Sequence, residues 1–283
     1  MESLVKFITS MDGNYVTIVL IAMFYTFEQL LGTPFKFDRR WQHFFNNLLF
    51  QVAFIFVNLV VAAIQVIIIN WLVANQVGLF HWIEIPFWLK LLVGIMALDF
   101  SSYWVHRLAH TSPFFWRLHR VHHSDTTMDT STYFRGHPLE AFVFGTSAIA
   151  ACVIFGIDVQ ILGVYLVVLL PFLVAQHANI QLPEWVDKSF GRVFVTPNIH
   201  KVHHDQNQFY TDSNFADIFV LWDKLFGTYK YSPVTSRRYG LKEFDSNKHQ
   251  TFWYLLISPF LKIDRTSDDT PRLTPDNTKE TGS

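Results

Sequence analysis

The sequence predicts an all-α integral membrane protein: a small bundle of four to five transmembrane helices carrying a cytosolic, histidine-rich helical cap. Three observations carry that expectation. Of the 283 residues 51% are hydrophobic, only 16% are charged, and five long apolar runs succeed one another before residue 176. Ordinary soluble domains carry about 25% charged residues, so this chain lacks the polar surface that water requires. Its 29 Phe and 9 Trp suit a surface that meets acyl chains, with indoles at the headgroup level.

The runs are Tyr15–Leu31, Leu48–Val73, Ile85–Val105, Leu139–Ile157 and Val159–Ala175. At about 1.5 Å per residue each is long enough, or nearly so, for roughly 30 Å of hydrocarbon. The opening MESLVKFITSMDGNY has one Lys and no small-residue cleavage pattern, so the first run reads as a retained anchor rather than a removable leader. The segment FGID, with Gly156 and Asp158, reads as the tip of a helical hairpin joining the last two runs. Residues 176–231 are more polar and read as a cap of short helices. Residues 250–263, aromatic and broken by Pro259, are too short to span and read as interfacial. Residues 1–263 are thus expected to form one membrane-embedded domain, its core at about 95–230, followed by a polar, disordered tail over 264–283.

Lys and Arg in short loops mark the cytoplasmic side. The first loop carries Lys36, Arg39 and Arg40, the third Arg107, Arg117, Arg120 and Arg135, and the region after the fifth run Lys188, Arg192 and Lys201. The second loop, NQVGLFHWIE, and the hairpin tip carry no Lys or Arg. Every histidine from His106 to His137, and every one from His177 onward, then falls on the cytoplasmic face, in a bacterial inner membrane or in the endoplasmic reticulum of a eukaryote.

Composition also excludes. A net charge of −1 leaves no basic footprint for nucleic acid. The single cysteine, Cys152, rules out a disulfide frame, a four-cysteine iron–sulfur site and a cysteine-rich zinc site, so any metal must be held by nitrogen or oxygen.

Three five-residue windows answer that requirement: HRLAH (His106, His110), HRVHH (His119, His122, His123) and HKVHH (His200, His203, His204). Eight of the 13 histidines lie in those 15 positions, where random scatter would put about 0.7. Residues three and four apart share one helix face, so each window presents its imidazoles together. Adjacent positions diverge by roughly 100°, which lets His122 and His123, or His203 and His204, reach different ions, as a two-metal site requires. His137, in RGHPLE before the fourth run, and His177, in QHAN after the fifth, fall at the same end and join as further candidates. Imidazole suits iron, copper, zinc and nickel alike, and ten histidines exceed the need of one ion.

Asp99 lies inside the third run, seven residues before His106, and is either functional or a packing partner. Asp125, Asn179, Asn198 and Asp205 flank ligand positions and are candidates to accept the second ring N–H of a bound imidazole. His43, His81 and His249 have no partner at ligand spacing and are assigned to interface or surface.

The order HxxxH, HxxHH, a His-Pro before a helical hairpin, His-x-Asn after it, a second HxxHH and the segment WDKLFGTY (222–229) resembles the sterol desaturase and fatty acid hydroxylase superfamily over about residues 95–230. That resemblance implies two iron ions, dioxygen as co-substrate and a lipid substrate. It implies the eight window histidines as ligands, with His137 and His177 joining them. The chain departs from the family pattern at Asn214-Phe215-Ala216, where Asn-Tyr-Gly is expected, and this bears on substrate identity. Neither a fused cytochrome-b-type haem motif nor ferredoxin cysteines are present, so an external donor is implied: a cytochrome-b-type protein, a ferredoxin or a reductase. A desaturase would use the same ligands. A histidine-rich metal-binding or transport protein is the reading from a different class, disfavoured because transporters place their ligands near the midplane.

Overall fold

The computed structural model describes residues 3, 7, 8, 10, 13–30, 39–232 and 238–266. Lys36 and residues 267–283 of the polar tail lie outside the described residues. Every long element is an α-helix, and the only extended pairing among the described residues is two isolated bridges, Phe194 with Phe219 and Asp205 with Tyr239.

Five helices form the bundle: α1 (Gly13–Leu30), α2 (Arg40–Ala74), α3 (Phe87–Thr111), α5 (Glu140–Phe155) and α6 (Val159–His177), with α4 (Pro113–His123) lying between α3 and α5. Of these, α2 with the turn that follows it, α3 and α6 are long and apolar enough to cross a membrane. Three helices thus have the length and hydropathy to cross, and the sequence reading of four to five crossings is borne out to that extent. The apolar stretch Tyr15–Leu30 and the 16-residue α5 are shorter, since a 16-residue helix reaches only about 24 Å.

Local chemistry sets the boundaries. Pro113 opens α4, where its missing N–H costs nothing. At the tip between α5 and α6, Gly156 is left-handed (φ 71°) and Asp158 accepts from Ile161 N at 2.8 Å, so one turn both stops a helix and starts the next. Gly94 and Gly145 let helices close in, because an added Cβ would meet Ile161 Cγ2 at 2.7 Å and Val61 Cγ1 at 2.6 Å. The outer face of α2 stays bare, with Phe56, Leu59, Ile67 and Trp71 each at least 60% exposed, as a lipid-facing helix requires.

Short helices close one end of the bundle: α7 (Glu184–Ser189), α8 (Pro197–His203), α9 (Gln208–Thr211), α10 (Leu221–Leu225) and α11 (Phe252–Ile257). Thr196 caps α8 through Ile199 N at 3.2 Å and Pro197 opens it, which fixes the axis along which its histidines project. All three histidine windows and the C-terminus of α6 meet at this end.

Candidate metal centre

The last turn of α3 supplies His106 and His110, α4 supplies His119, His122 and His123, the C-terminus of α6 supplies His177, and α8 with its C-cap supplies His200, His203 and His204. They gather in two groups: His106, His110, His119, His123 and His203, and His122, His177, His200 and His204, each with its donor atoms within 4.8 Å of one another. Adjacent histidines separate, His122 to the second group and His123 to the first, His203 to the first and His204 to the second. The groups adjoin where the His123 and His204 rings stack at 4.5 Å.

Within the first group His106 Nε2 lies 3.1 Å from His119 Nε2, and His123 Nε2 lies 3.1 Å from His110 Nε2 and 3.2 Å from His119 Nε2. In the second, the Nε2 atoms of His122, His177, His200 and His204 follow one another at 3.1, 3.2 and 3.2 Å. Between His122 and His177 the spacing is not a hydrogen bond. His122 Nδ1 donates to Arg135 O at 3.2 Å and His177 Nδ1 to Leu173 O at 2.6 Å, and a carbonyl can only accept. Each neutral ring then carries its proton on Nδ1, so two bare Nε2 lone pairs face each other at 3.1 Å. Such a contact repels unless a cation lies between them.

The first group is tied in the same way: His106 Nδ1 to Phe215 O at 2.8 Å, His203 Nδ1 to Ser213 O at 2.7 Å, His119 Nδ1 to Glu140 Oε1 at 2.7 Å and His110 Nδ1 to Asp212 Oδ1 at 3.1 Å. His203 Nε2 is buried with no hydrogen-bond partner. Two imidazoles at about 2.1 Å from one ion place their nitrogens about 3.0 Å apart at a right angle and about 3.4 Å at a tetrahedral one. The observed 3.1–3.2 Å fits that range, so the residues suit an ion in each group, held entirely by nitrogen.

Aromatic rings wall the first group: Trp116 lies 5.0 Å from His110 and 5.5 Å from His123, and Phe144 lies 6.0 Å from His106 and 5.7 Å from His119. Phe215, in the loop that departs from the family pattern, lies 5.1 Å from His110 and 5.7 Å from His203. Burial pushes His119 down to about 3. Burial first, and neighbouring histidines second, hold His122, His123, His200, His203 and His204 well below the ordinary 6.5. They are neutral at pH 7, the form that binds metal.

A pH dependence follows. The unfolded chain titrates these six rings near 6.5, and the folded chain does so lower, so beneath about 6.5 the unfolded state binds more protons and acid destabilises the fold. Chelator-treated protein is expected to lose thermal midpoint steadily from pH 7.5 to 5. A midpoint unchanged over that range would show that the folded rings protonate freely.

Several candidates stand elsewhere. His137 is not brought into either group: its Nδ1 accepts from Leu139 N at 3.2 Å and its Nε2 donates to Leu256 O at 3.1 Å, so it ties the start of α5 to α11. Asp99 touches no histidine in the recorded bonds and instead accepts from Ile218 N, Phe219 N and Trp222 Nε1 at 3.1, 3.1 and 2.8 Å. Asn179 gives its backbone N–H to Glu28, Asp205 accepts from Asn207 N, and Asn198 bridges Leu182 and Asp187. Asp205 and Asn198 serve loop geometry in these bonds. Asp125 faces His43, whose Nε2 lies 2.8 Å from Asp125 Oδ1 and whose Nδ1 lies 3.5 Å from Asp129 Oδ2. His43, assigned to interface or surface from sequence, is thus enclosed between two carboxylates. Burial would raise the Asp125 carboxyl, but Arg135 and His43 outweigh it and hold it below the usual range. This ionic set fixes the loop whose Arg135 carbonyl takes the His122 proton. Glu140 and Asp212 were missed from sequence. Glu140 carried one signal, an acid at the head of an apolar helix.

Fold and site together define a class: an all-helical protein with membrane-length helices and a buried all-histidine centre suited to two metal ions. Residues 91–228 match the model of the fatty acid hydroxylase family. Alkylglycerol monooxygenase of Danio rerio is 30% identical over 162 residues, covering 53% of this chain and 33% of that protein. Its counterpart in Caenorhabditis elegans is 34% identical over 135 residues, covering 47% and 25%. Very-long-chain aldehyde decarbonylase GL1-8 of Oryza sativa subsp. indica is 28% identical over 187 residues, covering 64% and 68%. The family match over residues 91–228 and these relatives support a likeness to the fatty acid hydroxylase and sterol desaturase superfamily. It spans a third or less of the length of these two alkylglycerol monooxygenases. No solved structure matches it.

Proposed function

We propose that this chain is a dioxygen-dependent lipid hydroxylase with two irons, one held by His106, His110, His119, His123 and His203 and the other by His122, His177, His200 and His204. The observation that carries the reading is the facing of the bare Nε2 atoms of His122 and His177 at 3.1 Å, with their Nδ1 protons committed elsewhere. Two irons there supply the oxidising power that converts an unactivated C–H to C–OH with dioxygen, two electrons and two protons, which amino-acid side chains alone do not provide.

The chain's own part is to hold and to exclude. Ser213 O, Phe215 O, Arg135 O and Leu173 O fix ring tautomers, and Glu140 orients His119. Such outer partners typically contribute about 10- to 100-fold to metal affinity. Phe144, half-buried on α5, borders the first group with its ring 6.0 Å from His106 and 5.7 Å from His119, an apolar wall for an acyl chain at the centre. Residues 1–263 serve as one membrane-embedded domain in this reading, with the histidine end on the cytoplasmic face. Exposed Arg39, Arg117, Lys188 and Arg192 at that end support the orientation, whereas Arg135 and Lys201 are buried and do not count toward it. The electrons come from a separate cytochrome-b-type protein, ferredoxin or reductase.

Comparative lipidomics of cells expressing the chain or its His203→Ala variant tests the reading. One lipid class is expected to gain a single oxygen with the parent and not with the variant. Loss of two hydrogens would instead make the protein a desaturase, loss of the terminal carbon an aldehyde decarbonylase, and zinc as the sole bound metal without any lipid change a metal-binding protein.

A further inference from the structure

α3 exposes apolar side chains near both of its ends, Trp88 (53%) and Leu92 (48%) near the start and Trp104 (41%) and Leu108 (44%) near the finish. Twenty residues of helix rise about 30 Å, the thickness of the hydrocarbon layer. A bilayer drawn between those two ends reaches the level of His106, and Asp99, seven residues earlier, lies about 10 Å inside it. Yet Asp99 binds Ile218 N, Phe219 N and Trp222 Nε1, all in the segment just after the last histidine loop. The Trp222 ring packs 5.0 Å from Phe100 and the Phe226 ring 4.9 Å from Trp104, and Phe194 reaches Phe172 of α6 at 5.7 Å. Two stretches of the polar cap, 190–195 and 218–226, therefore descend alongside membrane-length helices.

We infer that these stretches form an interfacial wedge that sits among the upper acyl chains below the level of the metal centre, with Phe190, Val193, Leu221 and Leu225 facing lipid. Those four side chains are 48%, 51%, 46% and 64% exposed, in a segment whose Phe226 packs against Trp104 near the end of α3. Backbone at that depth must satisfy its own polar groups, and this backbone does so. Val195 N donates to Ile218 O at 2.9 Å and Val220 N to Val193 O at 3.0 Å. Asp99 takes Ile218 N and Phe219 N, and the Asp223 carboxylate takes Phe215 N and Ala216 N at 2.8 and 3.0 Å. Exposed Lys188, Arg192 and Lys224 border the patch, with stems long enough to carry their charges up to the headgroups. The wedge gives the intramembrane carboxylate a reason to exist: it caps a segment that water does not reach.

The test uses the full chain in lipid nanodiscs, with Cys152→Ala as background and single nitroxide labels at positions 193, 221 and 225. Collision with dissolved oxygen is compared with collision with a water-soluble nickel complex. Ile64 on the bare face of α2 serves as the lipid reference and exposed Lys248 as the aqueous one. The wedge requires oxygen to dominate at all three positions, as at 64. Nickel dominating there, as at 248, overturns it. Labels that neither probe reaches and that couple to one another would assign the patch to a second copy of the chain, which also overturns it. A label at 64 that reads aqueous would refute membrane seating as a whole, independently of the metal centre. Retention of the parent's helicity and thermal midpoint by each labelled variant shows that the exposed-site substitutions leave the fold intact.

Discussion

His123→Ala is expected to empty the first metal group and to abolish lipid oxidation, while His137→Ala leaves both metal content and turnover near the parent's. His123 Nε2 lies 3.1 Å from His110 Nε2 and 3.2 Å from His119 Nε2, and its ring stacks on His204 of the second group. Removing it takes away a ligand and the contact through which the two groups adjoin. The loss should exceed the 10- to 100-fold that a missing outer partner typically costs, and the two-electron chemistry needs both ions. His137 commits both ring nitrogens to Leu139 N and Leu256 O, so its deletion loosens the seat of α11 and takes no donor from either group. Iron per folded chain, measured by elemental analysis on purified variants, separates the two. Equal iron loss from both variants would return His137 to the ligand set, and full iron in His123→Ala would dismantle the grouping.

How the sequence divides into legible and illegible parts follows from where each signal resides. The three windows could be read because the relation among their histidines is local: i,i+3 and i,i+4 spacing puts rings on one face whatever the tertiary structure. His177 could be read because the positive-inside pattern and the hairpin brought its helix end to the same level. What could not be read is each acceptor that fixes a tautomer, since four of them are backbone carbonyls, of Arg135, Leu173, Ser213 and Phe215, and a carbonyl carries no residue identity. His43 was misplaced for a related reason. Its partners Asp125 and Asp129 are more than 80 positions away, and only packing of α2 against the 124–135 loop brings them together. His137 misled because a His-Pro at a helix start gives the right level but not the ring direction. Of the five apolar runs, three are helices long and apolar enough to cross, and two are shorter: α5 has 16 residues and starts at Glu140, whose carboxylate is committed to His119 and His137.

Asp99→Ala is expected to be the most damaging single change outside the histidines, and to act through the fold. The carboxylate accepts from Ile218 N, Phe219 N and Trp222 Nε1, and the side chain is fully buried. Alanine leaves three buried donors without acceptors, each worth roughly 1–3 kcal/mol, so about 3–9 kcal/mol is at stake, offset in part because a buried acid no longer has to be desolvated. Whole domains are stable by only about 5–15 kcal/mol. The variant should therefore accumulate poorly, and any folded fraction should show a depressed thermal midpoint in detergent. Asp99→Asn keeps one acceptor oxygen but turns an amide N–H₂ toward donors, so an intermediate loss is expected. The segment that Asp99 caps also bears Phe215 and Ala216, whose amides Asp223 holds, and the Phe215 carbonyl takes the His106 proton. A structural role predicts that the Asp99→Asn molecules that do fold bind iron at the parent's ratio. Normal accumulation with iron lost would instead place Asp99 in the metal machinery.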